Sequence, residues 1–299
     1  MGSTGSIGTN PGHVVSQVPP AWAGLVDDAA IFPPGNVSLR DALAAQVARR
    51  KEWYADLVAS FVVRDTDLPL LRGSTARLSV VVTGGAGQVA GPAALCRKLG
   101  LDLAGLEIAL RAPDDLAGNV RRVLAAVDDA RLDGALDETV PVFVELPQAD
   151  PTHDWLRAAD EIAARSGSGL RLKFRTGGME AHQFPSATTL AGWLDAALDR
   201  ETPFKCTAGL HDAVRHDDPD TGFGHHGFLN VLLATRRALD GAAPAEVVAV
   251  LEDQEVESVA GLARRDDLAG VRGWFTSFGS CSVVDPLDHL LALGLLEAP

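Results

Sequence analysis

Leu170-Arg171-Leu172-Lys173-Phe174-Arg175-Thr176-Gly177-Gly178 is followed about thirty residues later by Phe204-Lys205-Cys206-Thr207-Ala208-Gly209-Leu210. Both segments alternate apolar and polar residues and then run into glycine, the pattern of a strand with one polar face and a sharp turn at its end. Lys173 and Lys205 occupy matching places, so they point the same way. An ammonium aimed into a shared, partly dehydrated interior is costly unless it is paired or loses its proton, so this pair points to chemistry.

Working outward from this pair, short apolar runs recur along the chain. Strands are expected at 25–31, 57–63, 78–83, 103–110, 140–146, 170–175, 204–208 and 274–278. Helical patterns fill the intervals at 38–53, 91–99, 114–130, 152–165, 187–198 and 227–239, with a last one at 286–295. Ser38 is placed to cap the first of them. The segment 65–72, interrupted by Pro69, is a weak helix. Eight strands alternating with helices predict an α/β fold, a single (β/α)8 TIM barrel, rather than the open doubly wound sheet that uses the same local patterns. Residues 243–270 break the rhythm with two further helical stretches, 244–252 and 255–264, read as a helical insertion before the eighth strand. The expected organisation is a flexible N-terminal tail over 1–20, rich in Gly, Ser, Thr and Pro, and one catalytic barrel domain over 21–299.

Composition narrows the function. The chain has 299 residues, 46% hydrophobic and 22% charged, as ordinary globular proteins do. Its formal net charge of −14 argues against wrapping nucleic acid, which needs a basic face. No apolar run approaches the roughly 20 residues that span a bilayer, and the first residues lack the pattern of a secretory signal. Three widely spaced cysteines, Cys96, Cys206 and Cys281, do not form a disulfide framework. A cytoplasmic protein acting on a small molecule is expected, without nucleic-acid or membrane partners and with no cofactor assigned. Self-association through the insertion is compatible with the sequence.

The period of two assigns faces. Leu170, Leu172 and Phe174 face the outer helices, leaving Arg171, Lys173 and Arg175 inside. By the same parity Glu107, Glu145, Lys205 and Thr207 point inward, so charges from four consecutive strands converge near the end where barrel enzymes carry their sites. An ion-pair network that merely fills the barrel is the alternative.

Lys173 with Thr176-Gly177, and Lys205 with Ala208-Gly209-Leu210, resemble strands six and seven of class I aldolases of the deoxyribose-phosphate aldolase type. The resemblance covers two motifs of about seven residues each. It implies that Lys173 forms a Schiff base with a substrate carbonyl and that Lys205 depresses its pKa. The chain departs from that family in offering Glu107 and Glu145 on strands four and five, and in the extra charge of Arg175. Independently of the resemblance, only a neutral amine attacks a carbonyl, and desolvation with a neighbouring cation favours that form. Glu145 or Glu107 would carry protons. If each lysine instead pairs with a glutamate, both stay charged and the site binds rather than attacks.

Further segments shape a ligand site. Phe278-Gly279-Ser280-Cys281-Ser282 is a small-residue turn after the eighth strand, where Gly279 and Ser280 are candidates for holding a phosphate or carboxylate, or for an ordinary loop capped by Ser282. Thr83-Gly84-Gly85-Ala86-Gly87 is a second flexible turn. Of the pair Asp27 and Asp28 only one can point inward, and Asp28 is taken as the substrate-facing one. His211, His216, His225 and His226 are half of the chain's eight histidines and fall within sixteen residues, beside Asp212, Asp217, Asp218 and Asp220. His211 and His216 are read as substrate-binding residues of a lid; their spacing matches no specific metal motif. Cys206 and Cys281 are candidate nucleophiles, but isolated small cysteines of this kind are read first as packing residues. The leading expectation is a lyase, aldolase-like, acting through a Schiff base at Lys173 on a small oxygenated carbonyl compound, with a phosphate or carboxylate as an optional substituent. The alternatives are a metal-dependent hydrolase or isomerase using Glu107, Glu145 and loop histidines, and a non-catalytic barrel that binds a small anion.

Overall fold

The computed structural model describes residues 17–110 and 113–299. Residues 1–16 of the expected tail lie outside the described residues, while Val18, within it, is buried against the core. Eight parallel strands close into a barrel: β1 (Val26–Asp28), β2 (Val58–Arg64), β3 (Arg77–Val81), β4 (Asp102–Ala109), β5 (Val142–Glu145), β6 (Leu170–Arg175), β7 (Phe204–Thr207) and, after a small ribbon, β10 (Phe275–Ser280). The ribbon pairs β8 (His216–Asp217) antiparallel with β9 (Gly224–His225). Closure comes from β1 pairing β10 on one side and β2 on the other.

Helices follow the strands as a (β/α)8 chain requires: α1 (Leu39–Arg49), α2 (Ala90–Leu99), α3 (Leu116–Leu132), α4 (His153–Ala163), α5 (Ala187–Asp199), α6 (Phe228–Leu239) and α9 (Val284–Ala292). Among the described residues β2 is followed by a 3-10 segment alone, Asp65–Leu71, with no α-helix before β3; Pro69 there removes a backbone donor that an α-helix would use. The insertion is two helices, α7 (Pro244–Glu252) and α8 (Val256–Arg265), packed on α6. Side-chain oxygens of Ser38, Thr152 and Ser186 accept the first free N–H groups of α1, α4 and α5.

The outward rows of the strands carry the core. Phe174 stacks on Trp193 with ring centroids 5.5 Å apart and on Trp155 at 6.2 Å, so β6 is clamped by α4 and α5. Each indole also donates a hydrogen bond, Trp155 to the Pro147 carbonyl and Trp193 to the Ala149 carbonyl. Those bonds fix the loop that leaves β5 beside the site. At the ends of β6 and β7 the backbones touch: a Cβ on Gly177 would lie 2.8 Å from Gly209 Cα. Gly209 itself has φ +76°, a conformation natural to glycine. The paired glycines let the turns after β6 and β7 pack together, while the register of the two strands sets Lys173 beside Lys205.

Candidate active site

The inward row of the barrel is an ion-pair chain. Lys173 lies opposite Glu145 on β5 and opposite Lys205 on β7. Its Nζ is 2.8 Å from Glu107 Oε2 and 2.7 Å from Glu145 Oε2. Lys205 Nζ is 2.7 Å from both Glu107 Oε1 and Asp27 Oδ2. Arg175 Nε donates to the other Glu145 oxygen at 2.7 Å. Three carboxylates thus face three cations, and serines take remaining acceptor positions: Ser79 donates to Glu107, and Ser60 and Ser277 donate to Asp27. Ion pairs this deep hold only when every partner is present.

The charges follow from this geometry. Burial alone would push the Lys173 and Lys205 ammoniums down, but the carboxylates beside each outweigh it and hold both above the ordinary lysine value. Burial likewise pushes Glu107 and Glu145 up, and the cations reverse it, leaving both well below the usual carboxylate range. The expectation that Lys205 depresses the pKa of Lys173 is therefore overturned. Glu107 sits between the two ammoniums and cancels their repulsion.

Above this floor, at the C-terminal end of the strands, opens a cavity of about 430 Å³. Glu107, Glu145, Lys173, Arg175, Thr207, His211 and Gly279 line it as the sequence predicts, together with Thr83 from the glycine-rich turn. Lys205 does not reach it; it is 2% exposed beneath the floor and also lies 5.0 Å from the Phe143 ring. The opposite wall is apolar and comes from Phe32, Pro33 and Pro34 after β1 and from Met179 and Phe184 after β6. His225 of the ribbon packs on Phe184, ring centroids 4.5 Å apart, and closes the mouth.

Three assignments need correction. Asp28 is not the inward member of its pair. It accepts from Arg49 and Gln46 of α1, both at 2.7 Å, because strand parity places it with Val26 on the helix-facing row and leaves Asp27 inside. His216 faces a second cavity of about 310 Å³, where Asp212 lies 3.2 Å from His216 Nε2 and 3.3 Å from His289 Nε2. Ser280 is turned behind the wall, with Oγ 3.1 Å from His211 Nδ1, instead of facing the cavity. Of the loop histidines His211 and His225 line the same cavity as Glu107 and Glu145, but among the described residues no three His, Cys, Asp or Glu side chains form a metal-ligating group.

Sequence reasoning missed Asp27, His225 and Cys281 as members of the site. Cys281 Sγ lies on the cavity wall, 3.6 Å from His211 Nε2. Its signal was position, directly after the last barrel strand. Burial lowers the His211 imidazole and outweighs the opposing pull of Asp285 and Asp212, while burial raises the Cys281 thiol.

No family model matches the chain, and no curated protein is similar to it in sequence. No helix among the described residues is long and apolar enough to cross a membrane. Among solved structures, Yersinia pestis DHPS with a pterine-sulfa conjugate aligns with 12% identity over 93% of this chain and 95% of its own, with a TM-score of 0.40. Xanthomonas albilineans dihydropteroate synthase in complex with 7,8-dihydropteroate aligns with 14% identity over 92% and 93%, with a TM-score of 0.42. These similarities are too distant to carry an argument about activity, and the barrel is read from its own strand pairing.

Proposed function

We propose that the chain is an enzyme of carbonyl chemistry, a lyase or isomerase acting on a small carbonyl compound that carries an anionic group. The observation that carries this reading is Lys173: a buried ammonium at the cavity floor, gripped by Glu107 and Glu145, with no third partner among the described residues. Held charged, it polarises a carbonyl oxygen and stabilises the negative charge that arrives there when a neighbouring C–H or C–C bond breaks. Glu145, on the same wall, is the proton carrier. Among the described residues Arg175 pairs through Nε alone, with Glu145, which leaves its terminal nitrogens for a carboxylate or phosphate.

A Schiff base at Lys173 is the second reading. Its geometric basis is the place of Lys173 at the cavity floor; the carboxylates that hold the ammonium charged oppose it, so the proton has to pass to Glu145, 2.7 Å away, as the substrate enters.

The test is exchange of α-protons in D2O, followed by NMR, over a panel of small hydroxyaldehydes, ketones and oxo acids. Exchange that disappears in Lys173→Met is expected. A mass gain at Lys173 after borohydride treatment selects the Schiff base; exchange without it selects the ammonium. A panel member that raises the melting temperature yet never exchanges would make the barrel a binding protein and overturn both.

A further inference from the structure

Cys281 and His211 stand together on the cavity wall, and the Lys173 chemistry uses neither. Cys281 is half-buried and lines the cavity, whereas Cys96 and Cys206 are buried in packing. His211 places Nε2 3.6 Å and Nδ1 3.8 Å from Sγ, and its Nδ1 edge also meets Ser280 Oγ at 3.1 Å and Asp285 Oδ2 at 3.7 Å. The near-equal distances put Sγ off the Nε2 lone-pair line, so a turn of the imidazole brings Nε2 onto the thiol; a base oriented by a third group beside a nucleophile then activates it. The loop after β1 adds to it. A Cβ on Gly35 would lie 2.8 Å from the Ala30 carbonyl oxygen and 3.0 Å from Cys281 Cβ, so that backbone is pressed against the cysteine. The Gly35 backbone opposes, without reversing, the burial that raises the thiol.

We propose that Cys281, with His211 as its base, reversibly takes an aldehyde fragment of the reaction as a hemithioacetal. This rests on the reading of the cavity as a carbonyl site. Sγ bonds to the aldehyde carbon, and the π pair of the C=O bond moves to oxygen. The thiol proton passes to His211 Nε2 and from there to that oxygen. Nothing is oxidised or reduced, and reversal restores thiol and aldehyde. Burial keeps thiol and imidazole neutral at rest, so the proton moves only as the bond forms. A carbon–carbon cleavage would then leave its enolate at Lys173 and its aldehyde at Cys281, the two fragments held in one cavity.

The experiment is alkylation of the native protein by iodoacetamide with peptide mass mapping, with and without glycolaldehyde. Cys281 is expected to label ahead of Cys96 and Cys206, glycolaldehyde to slow that labelling, and His211→Asn to slow it about tenfold or more, the lower range of general-base effects. If His211→Asn does not fold, Asp285→Asn is expected to slow labelling about two- to fivefold, as a partly exposed charge pair allows. Labelling that ignores these substitutions, or that glycolaldehyde leaves unchanged, overturns the proposal. Wild-type protein that labels in the expected pattern but exchanges no α-protons keeps the thiol–imidazole pair and loses the reading of Lys173. Exchange without selective labelling does the reverse.

Discussion

Glu107→Gln is the substitution that most directly tests the ion-pair chain. The side chain keeps its shape but loses its charge, so two buried ammoniums are left with Asp27 and Glu145 as their only carboxylates, and Glu145 is also claimed by Arg175. Removing one partner from a buried charge network costs about 3–5 kcal/mol. With an unfolding entropy of about 2.1 cal/mol/K per residue over this length, the melting temperature should fall by roughly 5–8 °C. Adding Lys205→Met restores neutrality in the interior and should recover part of the loss in a double-mutant cycle. Denaturant unfolding across pH checks the same point. Glu107 and Glu145 are held below their unfolded values, so their contribution is full above about pH 5 and lost as pH falls. Lys173 and Lys205 are held above theirs, so their contribution is full below about pH 10 and lost as pH rises beyond it. Glu107→Gln should flatten the acid limb. A variant within about 1 kcal/mol of wild type, the scale of an exposed pair, would refute the assignment of this chain as a tightly coupled network.

Gly177→Ala forces a methyl against the Gly209 backbone and should cost about 1–3 kcal/mol in denaturant unfolding, as overpacking does. His226 is buried, bonds to the Pro185 carbonyl, and is lowered by burial to about 4. Its neutral form is the native one, so stability should fall as pH drops from about 6.5 toward that value, and His226→Gln should lessen this slope. Arg175→Met should raise KM for substrates with an anionic group by about tenfold or more while changing kcat less, measured on whichever panel member exchanges.

The barrel was legible because parallel strands buried on both faces leave long apolar runs, and the period of two then separates the inward Lys173 and Glu145 from the outward Leu172 and Val144. β6 runs from Leu170 to Arg175 as read, and α7 from Pro244 to Glu252. Protonation states were not legible, because strand parity says that two lysines share an interior but not which carboxylates from β1 and β4 come within reach. The choice between Asp27 and Asp28 failed on a three-residue strand, too short for alternation to decide. Pairing with Arg49, across a helix, was invisible in the strand itself. Cys281 was passed over because its partner His211 lies seventy positions away, on the loop after β7.

The seam between β1 and β10 bears on the order in which the molecule can be made. Asp27 meets Ser60 early, but its counter-ion Lys205 and its second serine, Ser277, are separated from it by most of the chain. Arg272 reaches back to the carbonyls of Ala21 and Gly24, and Trp22 donates to that of Leu295. A nascent chain emerging from the ribosome therefore carries an uncompensated carboxylate at its first strand until residue 205 has been synthesised. The ring cannot close until the segment beyond residue 275 is available, so unfinished forms leave the edges of β1 and of the last strand made open to neighbouring chains.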